Sequence, residues 1–274
     1  RGLGDVYKRQ IEAGGMMVLG PAYYPQHYDL RVEGRDAFIH YPSFLPPGLM
    51  SASLRFNGEV GRLLLGGDVE LHRMVYRERY NWEKILTDFR TYRLESVEEP
   101  VTTAPYFNID INIHAPGTFF IRNNIGNVQM KGDLNLVGDT NVMELRGDIE
   151  SLRGSLRVLD NAFELTRGKI EFTGDYWNPA LDLRMETQIQ SYTLYYEVSG
   201  TLQDWKLTPG SDAGLSERDI NALIAFGTLA DDITEGEARA LAAPTLEFLV
   251  GRFGAGLLEP LQAFAGLETF SVIP

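Results

Sequence analysis

Alternation of apolar and polar residues with a period of two runs through most of this chain and restricts it to sheet-based folds. Asn108-Ile-Asp-Ile-Asn-Ile-His114 puts Ile109, Ile111 and Ile113 on one side and polar groups on the other. Val128, Met130, Leu134 and Leu136 repeat the pattern. So do the pairs Leu156/Val158, Phe163/Leu165 and Ile170/Phe172, and the triplet Leu181, Leu183 and Met185. Side chains on a strand point to opposite faces in turn, so each run describes a strand with one apolar and one wet face. Tyr28–Val32, Ala52–Gly58 and Leu63–Leu71 show the same alternation, the last with a glycine kink or bulge expected at Gly66-Gly67.

Turn signals separate the runs: Gly138-Asp139, Asp160-Asn161, Arg167-Gly168, and Gly174-Asp175 leading into Asn178-Pro179. Phe44-Leu-Pro-Pro-Gly48 reads as a hard turn, since proline cannot donate to a ladder. No helical pattern comes between the strands, which disfavours βαβ units. The echo of Gly147-Asp-Ile149, Gly154-Ser-Leu156 and Gly168-Lys-Ile170 hints at serial, solenoid-like repetition. The expected fold is mainly β: an elongated, curled, antiparallel, meandering sheet forming a groove.

Helical spacing begins only after Pro209. Ser216-Glu-Arg-Asp219 is a capping-box-like start, and Ile220, Leu223 and Ile224 lead to a natural stop at Gly227. Further helices are expected from Glu235 to about Ala243 and from Thr245 to about Phe264, with a truncated strand opening at Glu268. The chain divides into 1–10, read as non-native sequence; 11–104, β-rich with an irregular insertion at about 80–104; 105–210, a second β-groove segment; and 211–274, helical.

Bulk chemistry removes several classes. A formal net charge of −13, with no local Lys/Arg run, repels phosphate backbones and excludes nucleic acid as the expected partner. Absence of cysteine removes thiolate metal sites and thiol nucleophiles. His27, His40, His72 and His114 are scattered without a metal-binding spacing, and neither a nucleophile elbow nor a P-loop is present. No metal, cofactor or catalytic residue is expected. A glycan-binding or glycan-cleaving solenoid or sandwich stays open as an alternative. It would use carboxylates such as Asp110 and Asp133, with Tyr192, Tyr195 and Tyr196 stacking on sugar.

The segment from Gly147 to Gly174, closing on Arg167-Gly-Lys-Ile-Glu-Phe-Thr-Gly174, followed by Asn178-Pro-Ala-Leu-Asp182, resembles the C-terminal domain of the TamB family. Tyr195-Tyr-Glu-Val-Ser-Gly200, the stretch Pro209 to Gly227, and Gly266-Leu-Glu-Thr-Phe-Ser-Val-Ile273 are similar to that family in the same order. The resemblance covers about 105–274 well, and 20–80 in style. It implies a translocation and assembly module of the AsmA-like envelope proteins: a β-taco in the periplasm, anchored in the inner membrane by the full-length protein's N-terminal helix. It also implies phospholipid transport between the membranes and outer-membrane protein assembly or secretion with a TamA-like barrel. Phospholipid acyl chains would then lie along the apolar residues named above.

Overall fold

The computed structural model describes residues 10–39, 48–77, 107–124, 126–158, 161–175 and 178–233. They form one sheet of eleven strands whose spatial order is their sequence order. The strands are β1 (Gln10–Leu19), β2 (Pro25–Ile39), β3 (Gly48–Glu59), β4 (Arg62–Tyr76), β5 (Asn108–Arg122) and β6 (Gly126–Asp139). β7 (Met143–Val158), β8 (Asn161–Gly174), β9 (Ala180–Ile189), β10 (Tyr192–Thr201) and β11 (Trp205–Ser211) complete it. β1 and β11 are the two edges and do not pair, so the sheet is curled but unclosed.

Every neighbouring pair is antiparallel except β4 and β5, which run parallel with Leu65 opposite Ile109 and Val69 opposite Ile113. The sheet is therefore mixed: the curled, meandering sheet expected from the sequence, with one parallel step among antiparallel ones. A parallel pair needs a crossover connection of a dozen residues or more. The aperiodic stretch at 80–104 falls in this connection, outside the described residues.

The curl has a local cause. Register shifts occur at Gly34/Ala37, Leu49/Met50, Glu70/Met74, Ala115/Phe119, Gln129/Met130 and Leu165/Arg167. Through the pairing they form a row from β2 to β9, with one further shift, at Val18/Leu19, lying off it near the end of β1. Each bulge bends its strand and increases the local twist, and a row of them folds the sheet along a line. Side chains satisfy backbone groups along this row. Thr118 Oγ1 donates to the Leu71 carbonyl, Gln129 Nε2 to the Gly117 carbonyl at 2.7 Å, and Thr166 Oγ1 to the Arg184 carbonyl at 3.2 Å. The expected turn at Arg167-Gly168 is in fact one of these bulges, and β8 runs through it to Gly174. Likewise, Gly66 and Gly67 pair regularly with Arg55 and Leu54, and the irregularity of β4 comes later, between Glu70 and Met74.

The helix α1 (Glu217–Phe226) follows β11 as its sequence requires. Ser216 accepts a hydrogen bond from the Asp219 N–H, and Gly227 closes the helix at φ 74°. Its Ile220, Leu223 and Ile224 join the core formed with Phe163, Met185, Leu194 and Tyr196. The helices expected beyond residue 233, the turn at Phe44–Pro47 and the strand opening at Glu268 lie outside the described residues.

Candidate lipid groove

Register decides which residues share the apolar face, because directly paired residues point the same way. Ile111 pairs with Leu136 and Ile113 with Leu134. Leu136 pairs with Leu145, Ile149 with Ile170, and Ile170 with Leu181. Leu165 pairs with Met185, and Leu183 with Val198, which in turn faces Leu207. In the other direction Ile109 faces Leu65, Leu65 faces Phe56, and Phe56 faces Leu30. One apolar face thus continues from β1 to β11, with residues 10–76 contributing to the same sheet as residues 108–211.

Exposure along that face is graded. At the β1 end Ile11 is 66% exposed, and Leu30 and Val32 are each 39% exposed. In the middle Ile109, Ile111, Ile113, Leu134, Leu136 and Leu165 are half-buried. Towards the helix Val128, Met130, Leu156, Phe163, Ile170, Phe172, Leu181, Leu183 and Met185 are buried. Val158 is the last residue of β7. The gradient follows from what covers the face: α1 packs over the β8–β11 end, and no described helix lies over β1–β5. Among the described residues, those read as one groove in sequence therefore divide into a packed core and a half-buried stretch that no described helix covers. Alternation finds both and cannot tell them apart, because the covering helix lies far along the chain. Missed by that reading were Leu54, Phe56, Leu65 and Val69, which extend the half-buried stretch on β3 and β4; their own alternation was the available signal.

The closed end is held by one buried polar contact. The Tyr196 hydroxyl donates to Asn221 Oδ1 at 3.2 Å, with both residues buried. Burial, with the Glu217 charge adding to it, pushes the Tyr196 phenol well above the ordinary range, so it stays a neutral donor. Phe163 stacks on the same ring at 5.7 Å.

The opposite face is a polar ladder. Asn112 Nδ2 donates to Asp68 Oδ1 at 3.0 Å, and Asn135 Nδ2 donates to Asp110 Oδ1 at 3.0 Å and to Asn112 Oδ1 at 2.9 Å. Asp133 pairs with His114. Asp110 and Asp133 are thus engaged in cross-strand pairs on an exposed face. Among the described residues no group of three or more His, Asp and Glu is placed to hold a metal ion. Tyr192 and Tyr196 pack in or against the core, while Tyr195 lies under the Arg184 guanidinium at 3.9 Å. No described helix is long and apolar enough to cross a membrane.

The described residues thus define an unclosed, curled β-sheet with one apolar face, capped at one end by a short helix. The family model for the TamB C-terminal domain matches residues 2–274, and the chain belongs to that family. Membership places it among transport and assembly modules of the cell envelope. A search of curated proteins gives no match.

Proposed function

We propose that this chain is a periplasmic segment of a TamB-like protein whose open apolar stretch carries phospholipid acyl chains between the inner and outer membranes. The observation that supports this reading most is the half-buried band Ile109, Ile111, Ile113, Leu134 and Leu136. It continues the face of a packed core yet has no described helix above it. An acyl chain laid there is stabilised by about 0.8 kcal/mol per CH₂ removed from water. The buried residues Phe163, Met185 and Tyr196 then act as the stop at one end, since their space is filled by protein. Assembly of outer-membrane proteins with a TamA-like barrel is the companion role, supported by β1 and β11, which have no further strand beside them among the described residues and can add to a partner's sheet. Glycan cleavage is not favoured, because Asp110 and Asp133 sit on the exposed polar face, each with an oxygen engaged by a cross-strand partner.

A photoreactive amino acid at position 111 in the full-length protein should crosslink to phospholipid in cells, and one at position 163 should not. Crosslinks from position 111 to protein alone would sink the lipid reading.

A further inference from the structure

The polar face carries a basic pocket that the groove does not use. Beyond the row of bulges, Phe120 and Arg122 of β5, Asn127 and Gln129 of β6, and Arg153 and Ser155 of β7 line a cavity of about 340 Å³. Register sets Gln129 between Phe120 and Arg153, and Asn127 between Arg122 and Ser155. Their chain neighbours Ile121, Val128 and Leu156 are buried in the core, so the pocket opens away from the apolar face. The two arginines rise from the strands that flank β6, Arg122 opposite Asn127 and Arg153 opposite Gln129, so both line the same cavity from either side of β6.

These two arginines are held by uncharged partners. Arg55, Arg146, Arg167 and Arg184 each pair with a carboxylate. Among the described residues, Arg122 and Arg153 form no ion pair. The Arg122 guanidinium lies 4.8 Å over the Phe120 ring, and Arg153 Nε donates to Gln129 Oε1 at 2.7 Å. Gln129 is itself anchored to the Gly117 carbonyl, so Arg153 is oriented by a fixed amide and keeps its terminal nitrogens for another acceptor. In a chain of net charge −13, two preoriented cations that face one cavity are matched to an anion from outside.

We propose that this pocket binds a phosphate ester, with Arg122 and Arg153 clamping the phosphate from opposite walls. Donors on three strands, including the Ser155 hydroxyl and the Asn127 amide, suit a tetrahedral anion with several acceptor oxygens. A carboxylate would be satisfied by a single guanidinium fork. The cavity exceeds the size of the phosphate alone and leaves room for the esterified alcohol beside Phe120.

The test is amide NMR of the full chain titrated with inorganic phosphate, with glycerophosphoethanolamine as a soluble diester, and with phosphatidylglycerol or phosphatidylcholine vesicles in a sedimentation arm. Saturable shifts at Gln129, Arg153 and Ser155 are expected, with affinity falling about tenfold or more in both R122Q and R153Q, as loss of a charge-assisted hydrogen bond requires. Unchanged β9 and β10 resonances certify that the variants are folded. Tighter binding of the diester, with sedimentation on phosphatidylglycerol that R122Q abolishes, assigns the site to a lipid headgroup. Inorganic phosphate binding as tightly, without sedimentation, assigns it to free phosphate. No saturable shift at these amides, or unchanged affinity in both variants, overturns the site. Crosslinking from position 111 reads the other face, so failure of either result leaves the other standing.

Discussion

Gln190 illustrates how single residues hold the closed end. It lies in the turn between β9 and β10 at φ 56°, a conformation unfavourable for a residue with a side chain. Its Nε2 donates to the Gly227 carbonyl at 2.6 Å, tying the turn to the end of α1. Q190A and Q190G both lose this tie, but only alanine keeps the strain. Denaturant unfolding should therefore find Q190G more stable than Q190A by about 1 kcal/mol. Tyr196 and Asn221 form the second tie. N221A strips the buried phenol of an acceptor and should cost about 1–3 kcal/mol in the same assay, without altering crosslinking at position 111. Neither contact was legible in the sequence. Tyr196 fitted the strand period, but its partner lies on a helix 25 residues later.

At the scale of elements, the strands were legible where alternation is strict, and α1 was legible from Ser216 and Gly227. Replacing Ser216 with alanine should cost about 1 kcal/mol by removing the cap. The bulges were not legible. At Arg167-Gly168 the residue types are those of a turn, and only the position of β9 beside β8 decides for a bulge. Gly147 shows a different constraint inside a strand. At φ 112°, an added Cβ would lie 2.1 Å from the Asp133 carbonyl oxygen. G147A should therefore be destabilised well beyond the roughly 1 kcal/mol range of ordinary strand substitutions, read as a fall in midpoint denaturant concentration. Cross-strand pairs add a pH signature. The hydrogen bond from Lys131 holds the Glu150 carboxyl below its usual range, and Lys131's charge acts in the same sense. A depressed folded-state value means the stabilisation is present above the unfolded pKa and is lost as pH falls through the folded one. Acid titration of K131M should show a smaller loss of stability below about pH 4.5 than the parent, the effect being small because both groups are exposed.

For the whole molecule, the apolar face was legible but its division into closed and open parts was not, since that depends on where α1 lands. Hydrogen exchange reads the division directly. Amides of β9 and β10 should be the slowest to exchange, with protection decreasing towards β1, whose residues are exposed throughout. Strand order has a kinetic meaning as well. With every strand beside its neighbour in sequence, the sheet can lengthen by adding one strand at a time to a finished edge. The parallel β4–β5 step is the exception, where a long connection must be spanned before pairing is rewarded. Assembly should then proceed in two runs with a pause between them. A chain emerging gradually into its compartment can complete β1–β4 before β5 arrives, so the groove is built by extension rather than by global collapse.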